Sequence, residues 1–299
     1  MTPVATSVDA PRPASHQQMG QEAHLAHLGL SLAIDQGDGL GLHTNPVFEP
    51  EVAKALECHI KPGTTVVDAG AHIGYFTLQM ARLVGEEGKV HAFEPEEENL
   101  RVLRQNIASN RLANVEVHAV ALGEREESGR LYRSDYSTGM HRLYDSLCCG
   151  AKATEVVVRR LDAIFRPGQI ALLKIDIEGY EPFALAGARS LIQGQAMVVV
   201  SEYCPPAMLE AGALIGDYLA WMKRAYASVV GAGGVTVSWL ELEADARSWE
   251  TFGRMRLRDA CAGKTNPEIA ATVGQISRDL RCARPFIENL VFIPRLGAA

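Results

Sequence analysis

Short apolar runs alternate along the chain with stretches whose apolar residues recur at helical spacing. The runs are rich in Val, Ile and Leu and end near Gly, Pro or acidic residues, which is typical of buried strands. Helical spacing lies between them, as at Leu100, Leu103 and Ile107. This alternation predicts an α/β fold, a Rossmann-like, doubly wound and mostly parallel sheet. The predicted strands are TTVVDAG from Thr64, KVHAFEP from Lys89, VEVHAVALG from Val115, ALLKIDIEG from Ala171 and AMVVVSEY from Ala196.

The C-terminal part of the chain departs from this alternation. GGVTVSWLEL from Gly233 and ENLVFIPR from Glu288 predict an antiparallel pair of strands that closes the sheet. Residues 241–285 predict a helical insertion between the two. Residues 124–160 are polar and predict an irregular insertion, with one edge strand at TEVVVRRL from Thr154. Both insertions lie on the expected substrate side of the sheet.

The N-terminal part precedes the first predicted strand. Residues 1–20 carry three prolines among Ser, Thr, Ala and Gln, and we expect a disordered leader. Residues 21–63 predict an N-terminal helical segment or lid, with a short helix over 21–32 and another over 49–59. Residues 64–299 then form the α/β domain.

Composition narrows the class of protein. The 299 residues are 47% hydrophobic, and no apolar stretch approaches the roughly 18 residues of a membrane span. The N terminus lacks the basic start and apolar block of a signal peptide, so we expect a cytoplasmic protein. A net charge of −7 argues against a nucleic-acid partner. Six cysteines form no CxxC pair, which predicts reduced thiols and no zinc site.

The first predicted strand ends in a glycine-rich turn, DAGAHIG. Gly70 and Gly74 allow a tight turn, and the following helix presents backbone amides to an anion. A dinucleotide usually requires a third glycine where this chain has His72, whose ring crowds the pyrophosphate position. S-adenosylmethionine has no pyrophosphate and needs an acid near its ammonium group, a role that suits Asp68. The turn alone is also compatible with simple packing of helix on sheet.

Glu94 ends the second strand, twenty residues after Gly74. A carboxylate at this position of a doubly wound sheet accepts hydrogen bonds from ribose hydroxyls. Together with Asp68 it favours a nucleoside-bearing cofactor.

The fourth strand carries charge in an apolar run. In KIDIEGYE, the alternating residues Lys174, Asp176 and Glu178 share one face if the strand stays extended. Buried charges are costly without partners, which favours a functional role for at least one of them. A purely structural pairing of Lys174 with a carboxylate remains the alternative.

These segments resemble the FkbM-type family of methyltransferases. The resemblance rests on VVDAGAHIGYFTL, AFEPEEENLRVLRQN and LLKIDIEGYEPFALAGARSLI, and it is supported by RRLDAIF and ENLVFIP. It spans roughly residues 64–295, so 64–299 is expected to be the methyltransferase domain. It implies a seven-stranded class I methyltransferase sheet, S-adenosylmethionine as methyl donor and O-methylation of a hydroxyl on a sugar or secondary metabolite.

The resemblance also implies roles for individual residues. Glu94 binds the ribose, Ala121 and Leu122 flank the adenine, and Asp176 lies over the methyl group. His72 stands where Asn is frequent in the family, which changes local hydrogen bonding but not cofactor use. The residues implied at the methionine end are Asp68, Gly70, His72 and Gly74.

Methyl transfer needs a positioned acceptor and a base for its proton. Asp176 is the first candidate and Glu178 the second, while His141 is a candidate base if its segment covers the site. Glu202, at the end of the fifth strand, is a candidate for orienting the acceptor or a paired acid. Asp176 and Glu178 also suit magnesium, but we expect no metal site.

The leading hypothesis is therefore an O-methyltransferase acting on a small hydroxyl acceptor. N- or C-methylation on the same fold stays open, as does a monomer or a homodimer. A nicotinamide-dependent oxidoreductase and a non-catalytic S-adenosylmethionine-binding protein are the competing hypotheses. His72 speaks against the former, and Asp176 with Glu178 against the latter.

Overall fold

The structure is a computed structural model of the chain. The leader predicted for residues 1–20 lies outside the described part. The structure describes residues 22–25, 28–34, 40–42, 47–193 and 196–295.

Strands and helices are numbered separately along the chain. The strands are β1 (Glu22–Leu25), β2 (Leu30–Ala33), β3 (Thr65–Ala69), β4 (Lys89–Phe93), β5 (Val115–His118), β6 (Ala121–Leu122), β7 (Glu127–Tyr132), β8 (Ala153–Arg159), β9 (Leu172–Ile175), β10 (Val198–Tyr203), β11 (Tyr226–Gly231) and β12 (Glu288–Pro294). The helices are α1 (Pro50–His59), α2 (Tyr75–Val84), α3 (Glu97–Ser109), α4 (Leu161–Ile164), α5 (Glu181–Ala186), α6 (Arg189–Ile192), α7 (Pro205–Ala211), α8 (Ile215–Ala225), α9 (Trp239–Phe252), α10 (Arg254–Cys261) and α11 (Asn266–Asp279).

Seven strands form the main sheet, in the order β11-β12-β10-β9-β3-β4-β5. All five predicted strands are present and pair in parallel, and β12 runs antiparallel between β10 and β11. The predicted Rossmann-like fold is confirmed. Strand order reverses between β3 and β9, and ligands on such sheets lie at the carboxyl ends of the strands beside that point.

The two faces of the main sheet are both buried, as expected for strands that are almost continuously apolar. Val66 and Leu172 face one side, where α1 and α2 pack. Val67 and Leu173 face the other side, which is covered by helices from the second half of the chain. The sheet is thereby held rigidly, so that the loops at its carboxyl edge start from fixed positions.

The predicted helix over residues 21–32 is wrong. The described part of this segment forms an antiparallel hairpin of β1 and β2, in which alternate residues such as Leu30 and Leu32 are buried. An alternation of this kind is typical of a half-buried strand and was readable in the sequence. The predicted helix over 49–59 is confirmed as α1.

The segment 124–160 is more regular than predicted. Strands β7 and β8 pair antiparallel and β6 joins β8 in parallel, which makes a three-stranded sheet. The predicted edge strand corresponds to β8. The long connection between β7 and β8, residues 133–152, returns over the carboxyl edge of the main sheet and is called the covering loop below.

The closing pair of strands was only half predicted. ENLVFIPR does form β12, but its partner is β11, which lies before the predicted GGVTVSWLEL run. That run forms a turn and then begins α9, because the Ser238 hydroxyl accepts the Leu240 N–H and caps the helix. Helices α9 to α11 confirm the helical insertion. None of the helices in the described residues is both long and apolar enough to cross a membrane.

Asn106 joins the N-terminal hairpin to the main sheet. Its buried side chain accepts the Ala33 N–H at 2.7 Å and donates to the carbonyls of Ala33 at 3.0 Å and Ile73 at 2.7 Å. Asn106→Ala should lower the free energy of unfolding by about 2 kcal/mol, because buried backbone groups lose their partners. Urea denaturation measures this loss.

The matched control is Arg104→Ala, an exposed change on the same helix, which should alter stability by less than about 0.5 kcal/mol. Equal stability of the two variants would show that the hairpin is not held by Asn106.

Candidate active site

A cavity of about 290 Å³ opens at the carboxyl ends of β3, β4, β9 and β10. The covering loop supplies the opposite wall with residues 136–141 and Leu143. The cavity therefore lies where the reversal of strand order predicts a ligand site.

The loop after β3 approaches the loop after β9 closely. Gly70 has φ +79°, and a Cβ there would come within 1.9 Å of the Asp176 carbonyl oxygen. Only glycine fits this position. Gly70 and His72 line the cavity, whereas Gly74 does not: its conformation, φ +99°, begins α2 against Leu103. The expectation that Gly74 contacts the ligand is thus revised to a packing role.

Glu94 lies at the end of β4 and lines the cavity. One carboxylate oxygen accepts the His72 N–H and the other accepts the Glu96 N–H, both at 2.9 Å. Each oxygen keeps a second lone pair. Burial raises the pKa of Glu94 to about 7, although the backbone hydrogen bonds oppose the shift. The geometry offers two acceptors side by side, which suits a vicinal diol.

An apolar slot adjoins Glu94. Phe93, Val120, Ala121 and Leu122 line this part of the cavity, and Ala121 and Leu122 are buried in β6. The slot suits a flat, apolar-faced ring such as a nucleobase. Sequence reasoning named Ala121 and Leu122; Phe93 was missed because it reads as an ordinary core residue of β4.

Asp68 is held away from the cavity. Its carboxylate is fully buried, accepts the Thr77 hydroxyl at 2.6 Å and lies 3.6 Å from the Lys174 ammonium. Burial raises the pKa of Asp68, while Lys174 lowers it. The predicted direct contact of Asp68 with a cofactor is revised, because its side chain is not part of the lining and pairs with Lys174.

Lys174 lies between the buried Asp68 and the cavity-lining Asp176 and interacts with both carboxylates. Its ammonium is also 3.5 Å from Asp176, whose carboxylate lines the cavity, and 5.0 Å from the Phe76 ring centroid. Burial would lower the pKa of Lys174, but Asp176 and Asp68 raise it above its ordinary value. The structural pairing predicted as the alternative is present, and Asp176 still faces the cavity.

Glu178 does not share a strand face with Lys174 and Asp176. β9 ends at Ile175, and Glu178 adopts φ 59°. The chain curls because Glu181 accepts the N–H groups of Ile177 at 2.8 Å and Gly179 at 3.3 Å. The prediction of an extended strand through residue 178 is therefore wrong.

Arg142 ties the covering loop to this curl. Its buried guanidinium donates to Glu178 at 3.1 Å, to Glu210 on α7 at 3.3 Å and to the Ser146 hydroxyl at 2.8 Å. The Tyr144 hydroxyl donates to the Glu178 carbonyl at 2.8 Å. Glu178 is thus engaged in holding the loop. Nothing in the sequence distinguished Arg142 from a surface arginine.

His141 lines the cavity from the covering loop. Its Nδ1 accepts the Ser134 N–H at 3.0 Å, so a neutral ring carries its proton on Nε2. Nε2 is buried and has no hydrogen-bond partner among the described residues. Burial lowers the pKa of His141, which keeps the ring neutral. The structure revises the predicted base to a hydrogen-bond donor.

Acidic groups crowd the far end of the cavity. Carboxylate oxygens of Asp176, Glu181 and Glu202 lie within 4.8 Å of one another, and Glu49 lines the cavity beside them. Burial raises the pKa of Glu49 to about 7 and that of Glu181 to about 8, and it also raises the pKa of Glu202. Burial therefore disfavours the charged form of Glu49, Glu181 and Glu202. Its all-oxygen donor set would also suit magnesium, and the absence of a metal stays a prediction.

Two members of the acid cluster were missed by sequence reasoning. Glu181 was visible as the last acid of KIDIEGYE, three residues beyond Glu178, but an extended reading of the strand hid its part in the curl. Glu49 gave no signal, since it precedes α1 at a distance of more than 100 residues from the KIDIEGYE segment.

Comparison with known protein families identifies the family to which the chain belongs. The model of the methyltransferase FkbM domain matches residues 68–228, more than half of the chain. The chain belongs to the FkbM methyltransferase family. The match runs from Asp68 to β11, so it contains Glu94, Asp176 and the whole covering loop.

Similarity to individual proteins is more distant for this FkbM-family chain. Methyltransferase sdnD of Sordaria araneosa is 30% identical over 154 residues, covering 41% of the chain and 59% of that protein. Protein-L-isoaspartate O-methyltransferase 1 of Arabidopsis thaliana is 29% identical over 119 residues, covering 39% and 48%. The chain thus spans about half the length of these curated relatives.

Among solved structures, a methyltransferase FkbM from Methylobacillus flagellatus KT is similar to the chain. It shares 24% identity, with a TM-score of 0.34 over 47% of this chain and 33% of that one.

Glu94 is the residue whose loss should most directly weaken cofactor binding. Glu94→Ala removes two acceptors for the ribose, and we expect the Kd for S-adenosylmethionine to rise about ten- to a hundredfold. Binding to the unaltered chain should weaken as the pH falls below about 7, because protonation of the raised-pKa carboxyl removes its charge. Calorimetry at several pH values measures both effects.

Glu98→Ala is the control, because this exposed acid of the same Glu-rich segment forms its ion pair with Arg101 at the surface of α3. It should leave Kd unchanged. The pH dependence near 7 should persist in full in Glu98→Ala and be smaller in Glu94→Ala, which has lost the contribution of Glu94. Unchanged binding by Glu94→Ala would place the ribose elsewhere.

Proposed function

We propose that the protein transfers a methyl group from S-adenosylmethionine to a hydroxyl of a small molecule, such as a sugar or secondary metabolite. Family membership supports a methyltransferase that depends on this donor. The observation that carries the finer proposal is that Glu94 and three members of the acid cluster, Asp176, Glu202 and Glu49, line the same cavity. One cavity therefore offers a carboxylate that can bind the ribose diol of the donor and carboxylates that can accept a proton from the acceptor.

The cavity residues fit the donor. Glu94 would accept the two ribose hydroxyls, the slot beside it would take the adenine, and the backbone of Gly70 to His72 would meet the methionine end. The bound donor supplies an activated methyl group on a sulfonium. Carboxylates around the cavity favour its positive charge, as the acid cluster and Asp176 provide.

Asp176 is the best-placed proton acceptor. Its side chain lines the cavity, and the Lys174 Nζ lies 3.5 Å from its Oδ2. Asp176 would accept the hydroxyl proton of the acceptor as the acceptor oxygen takes the methyl group that the bound donor supplies, with S-adenosylhomocysteine as the leaving product. The Nε2–H of His141 would donate to the acceptor from the covering loop and fix its orientation.

The charge of the cavity favours a hydroxyl over an amine. An amine among these carboxylates would be held as an ammonium ion, which has no lone pair for attack. A neutral hydroxyl keeps its lone pairs and gains a base. N- and C-methylation remain the alternatives that product analysis decides.

Turnover is the direct test. The purified chain with S-adenosylmethionine and fractionated metabolite extracts should release S-adenosylhomocysteine, and mass spectrometry should find a methyl group on a product oxygen. Glu94→Ala serves as the control of weakened donor binding, and at a donor concentration near the Kd of the unaltered chain it should release correspondingly less S-adenosylhomocysteine.

Release should continue after treatment with EDTA. A loss that magnesium restores would place a cation in the acid cluster. Donor binding without release in any fraction would favour a non-catalytic binding protein.

Replacing the proposed base should separate catalysis from binding. Asp176→Asn keeps the size of the side chain but removes the proton acceptor, and kcat should fall about a hundredfold or more. The Kd for S-adenosylmethionine should change by only a fewfold. Steady-state kinetics with the acceptor from the turnover screen gives the first quantity and calorimetry the second.

Asp259→Asn, on the exposed side of α10, controls for the loss of one negative charge and should retain full kcat. Full kcat in Asp176→Asn would move the base to Glu202 or Glu49.

A further inference from the structure

A second cluster of ligating side chains lies outside the cavity, at the β5 edge of the main sheet. His91 on β4 is the register partner of Glu116 on β5, and His118 follows two residues later on the same face of β5. One ligand atom of each residue lies within 4.8 Å of the other two. None of the three lines the cavity.

The distances within this cluster are close to those between the ligand atoms of a metal site. His91 Nδ1 and His118 Nε2 are 2.9 Å apart. The Glu116 carboxylate approaches His118 Nε2 to 3.6 Å with Oε1 and His91 Nδ1 to 3.9 Å with Oε2. Zinc binds imidazole nitrogen at about 2.0–2.1 Å, which places two such nitrogens about 3.3 Å apart at a tetrahedral angle. An ion therefore fits between the three groups with small side-chain movements.

Both imidazoles are held in place by aromatic neighbours. The His118 ring stacks on Phe93 with centroids 4.3 Å apart and planes at 9°. The edge-on contact of His91 with Phe165 has centroids 4.8 Å apart. A metal site whose ligands are already oriented loses less entropy on binding.

Solvent reaches the cluster from one side. The side chain of Glu116 is 47% exposed, so an ion can enter from solvent on this side.

Lys89 competes for Glu116 but leaves part of it available. Its ammonium lies 2.5 Å from Oε2. Oε1, the oxygen closer to His118, can ligate an ion while Oε2 keeps Lys89. Without an ion, the two histidines share a hydrogen bond, which is the alternative role of the cluster.

We propose that His91 Nδ1, His118 Nε2 and Glu116 bind one zinc ion, with water in the fourth position. Two imidazoles and a carboxylate are a zinc donor set that needs no cysteine, so the cysteine pattern gave no warning of it. The ion would fasten the edge strand β5 to β4. The Glu94 N–H donates to the His118 carbonyl at 3.1 Å, so the same fastening supports the residue at the ribose position.

Zinc titration of the full chain, produced without a histidine tag and stripped with chelator, tests the proposal. Calorimetry should show one zinc ion per chain, and zinc should raise the thermal midpoint. His118→Gln and Glu116→Gln should each weaken zinc binding at least about tenfold and abolish the thermal shift. Glu116 is exposed, so its replacement leaves the fold intact.

Two controls cover other sources of zinc binding. Cys58→Ser alters an exposed thiol and His59→Gln the half-buried imidazole next to it in the chain, and both variants should bind zinc as the unaltered chain does. S-adenosylmethionine binding by metal-free His118→Gln reports that this variant is folded.

The proposal is overturned if the unaltered chain binds no zinc at micromolar concentration, or if both ligand variants bind it as tightly. Zinc-edge X-ray absorption should show two imidazole nitrogens, and a spectrum of oxygens or sulfur alone would place the ion elsewhere.

Discussion

The buried ammonium of Lys174 is the group around which the rest of the site is arranged. Lys174 is the register partner of Asp68 in the pairing of β9 with β3, so two opposite charges face each other in the centre of the sheet. A buried cation without partners is strongly unfavourable, and this one requires Asp68 on one side and Asp176 on the other. Asp68 in turn requires the Thr77 hydroxyl of α2. These contacts therefore link the pairing of β3 with β9 to the position of α2 and to the position of Asp176.

This arrangement leaves the side chain of Asp176 at the cavity and its carbonyl against Gly70. The close approach of the two loops brings the turn after β3 beside the end of β9. From that turn, the His72 N–H donates a hydrogen bond to Glu94. The groups expected at the ribose and at the methyl group thus belong to one set of backbone contacts. A change in strand pairing would displace them together.

The second half of the site comes from packing of the covering loop. Arg142 brings it against Glu178 and Glu210 and pairs with both carboxylates, and Arg258 lies 3.6 Å from the second oxygen of Glu210. The loop then presents His141 to the cavity. Five acids near one cavity end are tolerated because burial raises the pKa of several of them and because Lys174 and Arg142 balance part of the charge.

The sequence by itself determined the parallel sheet, the loop after β3 and the importance of Glu94 and Asp176. Each depends on local signals: apolar runs, glycines at turns and acids at strand ends. Only the tertiary structure decided that Asp68 turns away from the cavity, that Glu178 leaves the strand face, that Nδ1 of His141 accepts the Ser134 N–H, and that Glu49 joins the acid cluster. Those outcomes depend on which groups meet across long separations in the chain, and burial rather than residue type sets their charge. The position of the covering loop also depends on such contacts, since Arg142 fixes it through residues far away in the sequence.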